Sequence, residues 1–208
     1  MEIQTRAVSD IQLAIDWARL SYASEGDNGG EKDQNLAKKL SSCKLGTGHD
    51  SFLKSIVVHA EFTATHDFIL QLYRYHFRDT ASSTSKMHSI TKGSISDNCS
   101  KWVSHTITDY VDDLIYVFNS FVDGQTDLEY SLSEFCLYEI PKNRKELFEC
   151  IIHNTPLGYE LTFGEITNYL QLKSMYKQRK SHKMSGWSDT FVKWVKTLPE
   201  SHLITGDK

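Results

Sequence analysis

Residues Gly48 to Met87 read GHDSFLKSIVVHAEFTATHDFILQLYRYHFRDTASSTSKM, and within them the hydrophobic period changes from strand-like to helix-like to none. Ile56 to Thr63 (IVVHAEFT) is rich in β-branched and aromatic residues with partial alternation, which predicts a strand. Thr65 or Asp67 can cap a helix through DFILQLYRYHFRD, Asp67 to Asp79. On that helix Gln71, Arg74, Tyr75 and Arg78 stand at i, i+3, i+4 and i+7 and share a face, while Ile69, Leu72, Tyr73 and His76 lie elsewhere around it. A hydroxyl-rich segment, Ser82, Ser83, Thr84 and Ser85, follows and ends at Lys86. Two readings are open. The pattern is either a solvated polar face followed by a flexible loop, or two guanidiniums, an amide, hydroxyls and a lysine arranged for a phosphate or carboxylate. A nucleophilic serine is disfavoured, because no GxSxG elbow surrounds it.

Toward the N-terminus, Ile11, Ala14, Ile15 and Ala18 recur at helical spacing after a possible Ser9 cap, predicting a helix over residues 7 to 23. The polar run SEGDNGGEKDQN, Ser24 to Asn35, reads as a loop, and Lys44 to Asp50 is punctuated by glycine. Toward the C-terminus, Thr80 to Ser100 reads as loop, Asp109 to Phe121 as helix, and Asn143 to His153 as a helix with Leu147, Phe148, Ile151 and Ile152 on its apolar stripe. Pro156 and Gly158 end that helix. GYELTFGEI alternates Tyr159, Leu161 and Phe163 as a strand, and Thr167 can cap a long helix through NYLQLKSMYKQRKSH. On it Asn168, Leu172, Met175 and Arg179 share a side, with Leu170, Lys173, Lys177 and Lys180 mostly around the others. This side is either a buried structural face with Arg179 snorkelling at its end, or an apolar wall with two hydrogen-bonding groups for a flat ring. SDTFVKWVKTLP predicts a short amphipathic helix ended by Pro199. The elements predict α+β architecture without regular βαβ alternation, in a single domain spanning residues 1 to 208.

Composition narrows the function classes. The chain has 208 residues, 39% hydrophobic and 12% aromatic, and a net charge of -4, which fits a packed globule and gives no field for polyanions. Nucleic acid is therefore not the expected partner. The start MEIQTRAVSD lacks a basic region followed by an apolar run, and no window approaches a membrane span, so a cytoplasmic protein with no membrane partner is expected. Cys43, Cys99, Cys136 and Cys150 form no CxxC pair and the nine histidines form no HExxH, so neither a disulfide framework nor a metal is expected.

These residues resemble the flavin-dependent thymidylate synthases. Gly48, His49, Asp50 and Ser51 stand where that family has Gly-His-Glu-Ser/Thr, and the spacing to Gln71 and Arg74 runs without a gap. The family continues with Arg-His-Arg and a loop Ser-x-Asn-Glu-x-Ser-x-Arg-Tyr; this chain has Arg74, Tyr75 and His76, then Ser82 to Met87. In a second block after Pro156 and Leu157, Asn168 and Arg179 overlay the family's flavin-contacting asparagine and uracil-orienting arginine. Ser-Lys-Met-His and Tyr176 to Arg179 are similar to a divergent, phage-type branch. The departures are specific. Tyr75 and His76 replace His-Arg, with Arg78 the nearest substitute cation on the predicted face. Ala81 and Ser82 replace Asn-Glu, Lys86 replaces the phosphate-binding arginine, and Ile152 falls where a further arginine is expected.

The resemblance implies a twisted antiparallel sheet flanked by helices, assembled as a homotetramer. It implies methylation of dUMP to dTMP with FAD, CH2-tetrahydrofolate and NADPH, in which reduced flavin supplies hydride and the protein orients the uracil. By residue, it implies Arg179 as the catalytic group, stabilising charge that develops on the pyrimidine. Gln71, Ser82, Ser83, Thr84, Ser85, Lys86 and Arg179 would hold the nucleotide, and His49, Ser51, Arg74, Tyr75, His76, Arg78 and Asn168 would line the flavin. A related flavin and folate reaction such as hydroxymethylation, and a non-catalytic nucleotide-binding oligomer, are the alternatives that the departures keep open.

Overall fold

The computed structural model describes residues 1–20, 30–121, 135, 137, 139 and 141–207. They fall into two compact units, one of Met1–Thr63, Leu72–Ser83 and Thr162–Lys208, the other of Ala64–Gln71 and Thr84–Leu161. The class is α+β, as the sequence predicts. Strands β1 (Glu2–Val8), β2 (Val57–Thr65), β3 (Arg78–Ser83) and β4 (Glu160–Asn168) form one antiparallel sheet in the order β1-β2-β4-β3. Alternation in β2 buries Val58, Ala60, Phe62 and Ala64 on one face, and alternation in β4 buries Phe163, Glu165 and Thr167. Edge strand β1 escapes sequence reading because only its ends carry intermediate burial and the rest faces solvent.

Polar side chains, more than apolar spacing, set where the first unit's elements begin. Helix α1 (Ile11–Ala18) is capped by Asp10, whose carboxylate accepts from Leu13 N at 3.2 Å. Ser9, the expected cap, instead donates to the Ser55 carbonyl at 3.1 Å and accepts from Val57 N at 2.7 Å, tying the end of β1 to the start of β2. Helix α2 (Glu31–Ser41) begins inside the segment whose composition reads as loop, because Ala37 and Leu40 are buried and Asp33 is ion-paired to Arg19. The earlier part of that predicted loop, and residues 21 to 23 of the first predicted helix, lie outside the described residues.

The largest correction concerns the predicted helix from Asp67 to Asp79. Helix α3 (His66–Leu72) stops at Leu72, where Tyr75 N turns back to the Leu72 carbonyl at 3.1 Å. Phe77 N is taken by the Gln171 side chain at 3.2 Å, and from Arg78 the backbone pairs with β4. Sheet pairing offers these N–H groups partners that a longer helix would have to forgo, and local helical spacing loses to it. Arg78 is therefore on a strand and does not extend the face of Gln71, Arg74 and Tyr75.

In the second unit, α4 (Lys86–Ser89) is followed by α5 (His105–Ser120) and α6 (Arg144–Asn154), which pack together around Ile90, Ile95, Val111, Leu114, Ile115, Leu147, Ile151 and Tyr159. Helix α5 starts a turn before the predicted Asp109. Asn143 caps α6 by accepting from Glu146 N at 3.0 Å, while Glu146 accepts from Lys142 N at 2.7 Å, so this helix begins as its sequence predicts. Cys43, Cys99 and Cys150 are free thiols, and burial raises Cys99 to about 11; Cys136 lies outside the described residues.

Helix α7 (Tyr169–Arg179) organises the first unit. Tyr169, Gln171, Leu172, Lys173, Met175 and Tyr176 are all buried, so it is a central helix and not the one-sided one its sequence suggests. Asn168 caps it by accepting from Gln171 N at 2.9 Å; Thr167, the expected cap, donates to the Phe77 carbonyl at 3.1 Å. A π-helical segment, Gly186–Phe191, runs into α8 (Val192–Thr197), and α9 (His202–Thr205) closes the chain against α7. Aromatic rings connect the sheet to this layer, with centroids 5.5 Å apart for Phe163 and Phe62, 5.4 Å for Phe62 and Trp194, 5.6 Å for Trp194 and Phe191, and 5.2 Å for Phe191 and Trp187. Among the described residues no helix is long and apolar enough to cross a membrane.

Beneath β3 and β4, Arg78 and Glu165 form a bidentate ion pair, with Arg78 Nε at 2.6 Å from Glu165, and Arg78 also donates to Thr80 at 2.6 Å. Their side chains are 7% and 2% exposed. Burial raises the Glu165 pKa above its ordinary value of 4.5, and Arg78 opposes the rise. A raised carboxyl contributes stability that is complete below its unfolded pKa and lost as pH climbs through the folded one. Arg78→Met leaves Glu165 buried and alone, so it should cost about 3–5 kcal/mol in denaturant unfolding above neutral pH and less in acid, where Glu165 takes up a proton. Removing the α7 cap by Asn168→Ala should cost about 1 kcal/mol in the same measurement, while Asn168→Ser should restore most of it.

Candidate functional site

Two cavities open on the first unit, and six of the fourteen candidate site residues line one or the other: Arg74, Tyr75, His76 and Arg179 the first, His49 and Ser51 the second. The first, about 470 Å³, lies between the segment joining α3 to β3, which supplies Arg74, Tyr75 and His76, and α7, which supplies Gln171, Gln178 and Arg179. Gln171 holds the segment in place through Phe77 N, as described above. Tyr75 is only 8% exposed. Its hydroxyl accepts from Arg179 Nε at 2.7 Å and donates to the Gln178 side-chain oxygen at 3.3 Å, while Gln178 donates onward to Ser174 at 3.0 Å. The Arg179 guanidinium carbon lies 4.4 Å from the centroid of the Trp187 ring and 5.5 Å from that of Tyr75. A permanent cation is thus stacked on one aromatic face and hydrogen-bonded to a second aromatic residue, an arrangement that fixes a guanidinium against rotation.

Trp187 was invisible as a site residue in the sequence, as was His182, whose ring lies 6.4 Å from Trp187. Burial and then the Arg179 charge lower the His182 pKa, so this imidazole is held toward its neutral form. Arg74 and His76 are exposed at the cavity, and among the described residues Arg74 has no ion pair. The cavity therefore offers one clamped cation, one exposed cation, a histidine and several amide groups, which suits an anionic ligand carrying a flat ring.

The second cavity, about 570 Å³, is lined by His49 and Ser51 together with Trp17, Leu40, Gly48 and Phe52. Gly48 has φ of 84° with no atom near its missing Cβ, so backbone conformation and not space demands glycine there. Asp50, between the two exposed residues, points the other way and is 2% exposed. It accepts from Lys173 Nζ at 2.5 Å, and the same ammonium donates to the Cys43 carbonyl at 2.9 Å. Helical spacing placed Lys173 off the functional side of α7. The partner that buries it stands 123 residues earlier, which no local pattern could show.

The remaining predicted residues are not brought into these cavities. Arg78, offered above as a substitute cation, is committed to Glu165 beneath the sheet and cannot serve as one. Asn168 spends its side-chain oxygen on the α7 cap. Ser82 and Ser83 are exposed on β3, whose register shifts between Thr80 and Ser82. Gln71, Thr84, Ser85 and Lys86 belong to the second unit. There Lys86 is partly buried, which lowers its pKa; burial and then the Lys86 charge depress His66, whose ring stacks on Tyr159 at 6.0 Å.

No protein-family model matches the chain, and no curated protein matches it. Solved structures do. Thymidylate synthase X (ThyX) from Helicobacter pylori, crystallised with FAD and dUMP, superposes with a TM-score of 0.71 at 16% identity, covering 99% of this chain and 98% of its own. A second structure, flavin-dependent thymidylate synthase ThyX from the same organism complexed with FAD and dUMP, gives a TM-score of 0.70 at 16% identity, covering 99% of both chains. End to end, with its four-stranded antiparallel sheet and helical layers, this chain has the fold of the flavin-dependent thymidylate synthases.

Proposed function

We propose that the protein is a flavin-dependent enzyme that methylates dUMP to dTMP, using CH2-tetrahydrofolate and NADPH, as a homotetramer. The observation that carries this reading is the Arg179 cluster: an arginine clamped by Tyr75 and Trp187, in one cavity with Arg74 and His76. These are the positions that the resemblance assigns to uracil and flavin, and the neighbours of the same fold hold FAD and dUMP.

The residues present fit FAD. Two cavities with aromatic walls, Tyr75 in one and Trp17 and Phe52 in the other, suit flat rings, and Arg74 and His76 suit its phosphates. Arg74, Tyr75, His76, His49, Ser51 and Asn168 would hold it, the last through its amide nitrogen, because its oxygen caps α7. When bound, FAD supplies the hydride that reduces the transferred one-carbon group to a methyl. The chain's own task is electrostatic. Arg179 stands against negative charge developing on the pyrimidine as C5 attacks, and a partly buried guanidinium is screened by water less than a surface one. Because Tyr75 and Trp187 already fix it, it needs little reorganisation during reaction. Gln71, Ser82, Ser83, Thr84, Ser85 and Lys86 are the proposed nucleotide contacts. Lys86 attracts phosphate as a compact charge without the bidentate fork of arginine.

Purified protein should carry or take up FAD, visible as a yellow flavin band that stays with it through gel filtration, and its gene should let a thymidine-requiring strain grow without thymidine. Colourless protein that cannot be reconstituted sinks the enzyme reading. Flavin binding without complementation favours another modification of a pyrimidine nucleotide. Arg179→Ala should abolish complementation while FAD stays bound, and Tyr75→Phe, which removes the hydroxyl that accepts from Arg179 Nε, should lower kcat roughly tenfold with less change in KM.

A further inference from the structure

Lys173 is a buried cation that the reaction as described does not use, and its two contacts have an unusual placement in the chain. Its ammonium reaches the Cys43 carbonyl at 2.9 Å and the Asp50 carboxylate at 2.5 Å. These two residues bracket a segment with two left-handed glycines, Gly46 at φ 88° and Gly48 at φ 84°. Each glycine loses more conformational freedom on ordering than another residue would, and among the described residues the hydrogen bonds inside the segment are local turns such as Thr47 to Lys44. Lys173 closes it at both ends from a rigid helix.

Stability alone does not account for the pair. The Lys173 and Asp50 side chains are 11% and 3% exposed, and a buried ion pair of this kind is often matched or exceeded in stability by apolar residues of similar volume. What a salt-bridged ammonium supplies and an apolar contact does not is direction: donors aimed at two fixed acceptors. The residues on either side of Asp50 are His49 and Ser51, both exposed to the second cavity. Anchoring the middle residue inward determines how its two neighbours face outward.

We propose that Lys173 is a positioning residue, clamping Cys43 and Asp50 so that His49 and Ser51 are held ready for ligand, and that ligand affinity depends on the clamp separately from folding. This rests on the reading that the second cavity takes part of FAD. The test uses the full chain with FAD itself as probe. The apolar replacement Asp50→Leu with Lys173→Met should melt close to wild type, yet bind FAD at least about tenfold more weakly by flavin fluorescence titration. Amide hydrogen exchange should quicken over residues 44 to 52 and little elsewhere. A folded double variant with unchanged FAD affinity and unchanged exchange in that segment overturns the proposal, since the pair would then be packing alone. Should the double variant not fold, Asp50→Asn, which keeps the shape and removes the charge, is read by the same two measurements with the same expected and overturning results. Should wild type bind no FAD, the FAD reading fails, and the clamp stands or falls on the exchange pattern.

Discussion

A helix buried on several sides must find partners inside the protein for every polar side chain it carries, and α7 does so twice. Gln171 and Lys173 lie two residues apart on the same buried helix. The amide receives Phe77 N at 3.2 Å and so fixes the segment carrying Arg74, Tyr75 and His76; the ammonium fixes the segment carrying His49 and Ser51. Each bond satisfies a group whose burial would otherwise cost free energy on the order of 1–3 kcal/mol or more. The demand for satisfaction in the core is therefore what locates both cavities, and Arg179 at the end of the same helix inherits its position from it. Were α7 a surface helix, these side chains would be solvated and the two segments would have no common reference.

The same constraint explains what the amino-acid sequence reveals and what it conceals. Local signals were readable: the β2 alternation, the helix beginning at Asn143, the strand before α7 and the chemistry of the Gly48 segment all depend on near neighbours. The family pattern across His49, Ser51, Gln71 and Arg74 led to a fold that whole-chain superposition bears out. Decisions made by distant partners were not readable. Asp67 to Asp79 has helical spacing throughout, yet β4 and Gln171 claim its second half. Lys173 has the spacing of a solvated lysine until Asp50 is brought beneath it. Trp187, which no local pattern distinguishes from any core aromatic, matters to the cavity only through Arg179, which lies over its ring.

Arg78 illustrates how charge that looks available is consumed by architecture. Where β3 and β4 pair, Arg78 stands opposite Thr167 and Thr80 opposite Glu165, so Arg78 and Glu165 are diagonal neighbours and meet beneath the sheet. Glu165 is a carboxylate on the inward face of a strand, and an arginine is its natural complement. The cations left at the first cavity are Arg179, which is oriented, and Arg74, which is exposed. Affinity for an anion there depends on these two, a smaller positive charge than three arginines would give.

The π-helical turn from Gly186 to Phe191 has a consequence for how this site tolerates change. A π-turn accommodates one residue more than an α-turn, and here it brings both Trp187 and Phe191 to full burial just before α8. Deletion of one residue would let the turn relax to ordinary α-helix while the flanking turns kept their register, because the wider turn is what absorbs the extra residue. The five residues from Trp187 to Phe191 lie within that segment, so taking one out shortens the span between the ring under Arg179 and the ring that packs on Trp194. The aromatic layer has in effect a length setting.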